Sequence, residues 1–251
     1  MATSVSRPAG GSASRIAAGV APLRAGQGCS FLLRRLHSLS GLFPVGAFLL
    51  EHFISNAFAT NGPRAYAEEV KFLTGIPFLI FVEVGFIYIP ILYHALYGFY
   101  IWYRGESNVG DYPFIGNWGY MIQRWTGAIA FFYIVWHTVT MRWMGVHLVG
   151  NAAASFGKVQ LELHNPWALT AYIIGVLCAS VHLSYGLWLF AAKWGITTGA
   201  QARRRFAYVC AAVCLFFLTL GATALYSFLQ TPQQPVTAPE SHAAEQAWLN
   251  R

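Results

Sequence analysis

Four short stretches decide how this chain is read: LLEHFIS at residues 49–55, ILYHALY at 91–97, IVWHTVT at 134–140 and ASVHLSY at 179–185. Each sets one histidine (His52, His94, His137, His182) deep in an apolar run long enough to cross a bilayer. Each histidine lies roughly 16 residues past the start of its run, about 24 Å along a helix. If successive helices alternate in direction, His52 and His137 fall at one level and His94 and His182 at another. Imidazoles paired at two heights in a helical bundle suggest two haems, one above the other.

Composition agrees with a membrane location. Of 251 residues, 56% are hydrophobic and only 10% charged. That is too little charge to cover a water-facing surface, so the expectation is an all-α integral membrane protein. Trp and Tyr gather near the ends of the apolar runs, as an interfacial belt would require. The net charge of +7 clusters at a few helix ends. It reads as membrane topology, with acidic lipid or partner contacts, rather than as nucleic-acid binding. Of the four cysteines, Cys29, Cys178, Cys210 and Cys214, three lie in apolar runs and read as small hydrophobes. There is no C-x-x-C-H, so a haem would be b-type, and no C-x-x-C pair for an iron–sulfur cluster.

In chain order, residues 1–30 are Ser-, Gly- and Ala-rich with three arginines and no acid. That composition favours a disordered tail over a transit peptide, and no apolar core of a secretory signal precedes Phe31. Five spanning helices are expected over about 36–58, 78–102, 121–144, 167–190 and 206–229. Pro44 should kink the first, and Pro90, four residues before His94, the second. RAYAEEVKFL at 64–73 reads as a surface helix, 103–120 and 145–165 as loops, and 231–251 as a polar tail. The N-terminal segment holds five arginines, and the fourth connection holds Lys193 with Arg203, Arg204 and Arg205. The positive-inside rule puts both on the cytoplasmic side, with the C-terminus outside.

A single intramembrane histidine often serves only as an interhelical hydrogen-bonding group. Four at matched depths would each be desolvated with no return unless they bind something. Zinc wants clustered ligands and none are seen in the sequence. A proton relay in a small transporter or channel is the rival from another class. It predicts internal repeats or a midplane site, and neither is evident. A cofactor-free structural anchor leaves the four histidines without a role. From the depths, about 24 Å in from opposite faces of a layer about 40 Å thick, two irons would lie on the order of 10–20 Å apart.

Three stretches carry a family resemblance: RRLHSLSGLFPVGAFLLEH at 34–52, IQRWTGAIAFFYIVWH at 122–137 and VHLSYGLWLFAAKWG at 181–195. They resemble the large cytochrome b subunit of succinate:quinone oxidoreductases, in its five-helix, two-haem form, over about residues 31–230. Hydrogenase or formate dehydrogenase anchors are neighbouring possibilities that fit the spacing less well. The resemblance implies a bacterial inner-membrane anchor for a flavoprotein and an iron–sulfur subunit. It implies two haem b groups, held by His52 with His137 and by His94 with His182. Electrons would pass to or from a membrane quinone, often menaquinone, with no dicarboxylate chemistry in this chain.

It also implies propionate contacts at His37, Ser38 and Lys193, with Lys158 as a weaker candidate. Gln123 and Arg124 could line a haem edge or face the iron–sulfur subunit. Glu51 and Glu83 are acids within apolar runs and so candidates for quinone protonation, as are Glu68 and Glu69. A solvated face paired with Arg64 or Lys71 is the plainer reading of the last two. Some relatives carry an acid two residues before the last ligand. Here that residue is Ser180, which speaks against a proton pathway on that helix.

Overall fold

The computed structural model describes residues 25–105, 110–111 and 114–236. The expected N-terminal tail and most of the polar C-terminal tail lie outside them. The described residues before Leu36 are grouped apart from those that follow. Among the former, the Arg35 guanidinium lies 5.0 Å from the Phe31 ring centre.

Among the described residues every regular element is helical. Helix α1 (Ala25–Leu42) begins well ahead of the expected start near Leu36. Pro44 stops it, having no N–H to give, and the chain resumes as α2 (Val45–Ala57) with Phe48 N–H on the Pro44 carbonyl. Helix α3 (Pro63–Thr74) is the surface helix expected there, entered through Gly62 at φ 94° with proline in its first turn.

The second apolar run is α4 (Leu79–Val82), a wider-wound segment over 83–88, and α5 (Ile89–Tyr103). The Ile89 N–H reaches back five residues to the Val84 carbonyl. The distortion expected at Pro90 is therefore a π-turn just ahead of it. The third run, α6 (Ile115–Thr138), ends in a similar π-turn over 139–143.

The connection over 145–165 is not the plain loop the sequence implies. It contains α7 (Ser155–Leu163), unrecognised because nine residues with a central Gly157 carry too little periodicity. Asn165 then caps α8 (Pro166–Lys193), its Oδ1 accepting from Trp167 N–H at 2.9 Å. Helix α9 (Ala200–Gln230) completes the chain's helices among the described residues.

Among the described residues four helical segments are long and apolar enough to cross a membrane: Ser30–Asn61, Leu79–Tyr103, Pro166–Lys193 and Ala200–Gln230. Helix α6 has the length, about 36 Å for 24 residues, but Asn117, Gln123 and Arg124 make its first half more polar. Helix α8 packs along both α6 and α9, and α2 packs on α9. The crossing of α2, α6 and α8 is built from small residues, Ala130, Cys178 and Ala179, with Leu49 against them. Such residues let helices approach where lipid offers no hydrophobic drive. The run 79–103 has no buried residue, and it meets its neighbours through single side chains such as His94, Phe99 and Trp102.

The tightest packing is at the end where α3, α7 and the C-terminal end of α9 meet. There Phe156 and Leu163 are fully buried with Tyr66, Tyr172 and Phe228. Each such burial contributes about 1.5–3 kcal/mol. Gln160, also buried, donates to the Phe228 and Thr231 carbonyls at 3.0 and 2.8 Å and accepts from Gln234 N–H at 2.8 Å. It thereby satisfies the open end of α9.

Lys158 corrects an expectation. Its ammonium donates to three backbone carbonyls, Met141 at 2.8 Å, Met144 at 2.9 Å and Val146 at 2.6 Å. All three of its protons are engaged in closing the end of the third run, with none left for a haem propionate. Burial pushes its pKa below the usual lysine value, partly opposed by Glu162. Replacing Lys158 by Met keeps the aliphatic stem and leaves three carbonyls unserved. The expected cost is about 3 kcal/mol, read as a lowered unfolding midpoint of the detergent-solubilised chain.

Candidate functional site

His52 lies beside His137, and His94 beside His182. His52 and His137 have ring centres 5.7 Å apart with planes at 70°. His94 and His182 are 6.1 Å apart at 85°. A ligating imidazole nitrogen lies about 2 Å from a transition metal, so two rings sharing one ion have centres about 6 Å apart. Among the described residues no three His, Cys, Asp or Glu side chains converge on a metal position. Each pair could thus offer two imidazole nitrogens to one ion. All four histidines are only half-buried, which leaves room beside them.

The hydrogen bonds select the free nitrogen. His94 Nδ1 is 2.9 Å from the His37 carbonyl, and His182 Nδ1 is 2.9 Å from the Gln123 carbonyl. A carbonyl can only accept, so each Nδ1 carries the proton and each Nε2 keeps its lone pair. Gln123 returns a bond from its amide to the His182 carbonyl at 3.1 Å. In the other pair, His137 Nδ1 is 3.0 Å from the Tyr172 hydroxyl. His52 meets the Asn56 amide, which lies 3.3 Å from Nε2 and donates to the His52 carbonyl at 2.8 Å. Asn56 is in turn held by Tyr66 at 3.2 Å; burial raises the Tyr66 phenol's pKa, so it stays a proton donor.

Two glycines admit the second pair. A Cβ on Gly41 would run into the His94 ring, and one on Gly127 would come within 2.5 Å of His182 Cε1. The imidazoles occupy the space those side chains would fill.

Other expected residues divide. The His37 ring stacks on His94, with centres 4.2 Å apart, and its Nδ1 is buried without a hydrogen-bond partner. Gln123 Oε1 and one terminal nitrogen of Arg124 are likewise buried and unpartnered. The Arg124 guanidinium sits 3.5 Å over the Tyr120 ring. Ser38 accepts from the Trp194 indole at 3.1 Å, which brings it beside the residue that follows Lys193. The open Arg124 nitrogen, a donor, suits a carboxylate-bearing group, whereas Gln123 Oε1, an acceptor, calls for a donor.

The four acids are placed differently from one another. Glu83 makes a two-pronged ion pair with Arg142, at 2.8 and 3.1 Å, tying the two π-turns together. Glu68 pairs with Arg64 at 3.0 Å in an exposed position. Glu51 and Glu69 share the Ser55 hydroxyl, at 2.6 and 2.8 Å. Buried Ser180 donates to the Val176 carbonyl at 2.7 Å, within its own helix.

Sequence reasoning did not single out Gly41, Gly127, Asn56, Tyr172 or Glu162. Only Glu162 and Tyr172 left a signal, a polar pair at the entry to an apolar run. Alanine at Gly41 or Gly127 should destabilise the chain by about 1–3 kcal/mol by forcing a ring aside. Gly85→Ala, with open space around it, should cost nothing. Thermal unfolding of the three variants in one detergent makes the comparison.

The model of the succinate dehydrogenase/fumarate reductase transmembrane subunit family matches residues 107–220, a stretch that holds His137 and His182. The succinate dehydrogenase cytochrome b558 subunit of Bacillus subtilis (strain 168) is 36% identical over 199 residues, spanning 79% of this chain and 97% of the relative.

Proposed function

Because the chain belongs to the succinate dehydrogenase/fumarate reductase transmembrane subunit family, we propose that it is the dihaem cytochrome b anchor of a succinate:quinone oxidoreductase. It holds a flavoprotein and an iron–sulfur subunit at the membrane and passes electrons between them and a quinone. The observation that carries this reading is the pairing of four imidazoles at 5.7 and 6.1 Å. In at least three of them Nδ1 is engaged by an oxygen, which turns Nε2 towards the ligand position.

Each b haem, when bound, supplies a one-electron iron couple, and two at separate heights supply a route through the apolar layer. The chain's part is to hold and insulate. His52 with His137, and His94 with His182, grip the two irons. Gly41 and Gly127 let the helices close on one of them. His37, Ser38, Gln123, Arg124 and Lys193 offer polar contacts at that haem's edge. Helix α6 is taken as the fifth crossing. The arginines at 34–35 and 203–205 place the N-terminus and the Lys193 end in the cytoplasm and the C-terminus outside. The domain spans residues 31–230.

For the quinone, taken as menaquinone, Glu51 and Glu69 are the acids of choice, since neither Glu68 nor Glu83 is free of a basic partner. They lie on the side of the His52–His137 pair, around one hydroxyl that can relay a proton.

Dithionite should give the purified subunit a sharp haem b α-band with two haems per chain by pyridine haemochrome. His94→Ala and His182→Ala should each remove the same haem, and His52→Ala and His137→Ala the other. If all four single variants kept both haems, the ligand assignment would be wrong. A colourless, correctly inserted chain from haem-replete cells would return the proton-relay reading to first place.

A further inference from the structure

The two histidine pairs are oriented by different chemistry. His94 and His182 give their Nδ1 protons to neutral backbone carbonyls. His137 gives its proton to the Tyr172 hydroxyl at 3.0 Å, and that hydroxyl lies 3.2 Å from Glu162 Oε2. The phenol has one proton. A carboxylate can only accept, so the Tyr172 proton points to Glu162 and its oxygen lone pair receives the His137 N–H.

The line is well isolated. Tyr172 is buried, with Tyr133, Trp136 and His137 around its ring at 5.3–5.7 Å. Among the described residues Glu162 enters no ion pair within 4 Å, and its second oxygen is buried without a partner. The cation one turn earlier on α7, Lys158, has its three protons on backbone carbonyls instead. The Glu162 charge is therefore left to act along the hydrogen bonds.

We infer that Glu162 and Tyr172 set the electron-donating strength of His137, and through it the reduction potential of the haem that His137 shares with His52. This rests on the ligand reading given above. The carboxylate draws the phenol proton towards itself, which makes the phenol oxygen a stronger acceptor. The stronger acceptor draws the Nδ1 proton of His137 and gives the ring imidazolate character. No bond is broken and each proton stays on its own donor. A more basic axial ligand favours ferric over ferrous iron, so the relay lowers the potential of that haem. The carbonyl-anchored pair lacks a charge at the end of its hydrogen bonds. Glu162 and Tyr172 are positioning residues, acting on iron only through the imidazole.

The test is a redox titration of each haem in the assembled, membrane-extracted complex, with His52→Ala used to identify which optical signal belongs to this pair. Tyr172→Phe keeps the ring packing and removes both hydrogen bonds. Glu162→Gln keeps the shape and removes the charge. Tyr172→Phe should shift the ferric–ferrous equilibrium of the His52–His137 haem about tenfold towards ferrous, equivalent to about 59 mV for one electron. Glu162→Gln should shift it several-fold in the same direction, and the other haem should not move in either variant. Should Tyr172→Phe lose its haem, Glu162→Gln decides alone. Both haems present with the potential of this one unchanged would overturn the relay and leave the ligand reading intact. A parent complex with no haem at this pair would overturn the ligand reading, and the relay with it.

Discussion

A neutral imidazole in an apolar interior has one N–H, and whatever accepts that N–H decides what the other nitrogen can do. Three interhelical contacts deep in this chain serve that constraint. The His37 and Gln123 carbonyls fix His94 and His182, and the Tyr172 hydroxyl fixes His137. An acceptor left out would cost about 1–3 kcal/mol and would free the ring to rotate its lone pair away. The helices around the rings are arranged to bring acceptors to them. That is why α1, interrupted before Pro44, passes close enough to α5 for Gly41 to touch the His94 ring.

The second organising feature is the short helix α7 between the third and fourth long runs. Through Lys158 it closes the end of one helix, and through Gln160 the end of another. Through Glu162 it reaches the phenol that orients His137. Structural support at that end of the molecule, and the proposed tuning of His137, come from one nine-residue element. Among the described residues the opposite end has no such cap. There His37, Gln123 and Arg124 keep buried atoms without partners, as a surface meeting a cofactor edge or another subunit would.

Legibility followed the range of the interaction. Apolar runs and their length are local, so the helices, the surface helix after the first run and the four histidines could be read directly. Start points were less legible. Helix α1 extends upstream of its apolar run through Gly26 and Gly28, poor helix formers that gave no local sign of it. Helix α7 was hidden, since its buried face is defined by distant segments such as 228–235 rather than by its own periodicity. Lys158 looked like an anion ligand because composition records a charge and says nothing of the three carbonyls around it. Glu83 looked like a lone intramembrane acid because Arg142 lies 59 residues away in the chain.

By itself the sequence determined a membrane-embedded helical protein with four matched histidines, because both follow from residue type and spacing along single helices. Only the tertiary structure decided which nitrogen is free on three of the four rings, which glycines must stay glycine, and which acids are already paired. Those are relations between side chains on different helices. Their distances depend on how helices pack, and packing of this kind leaves no periodic mark in the chain.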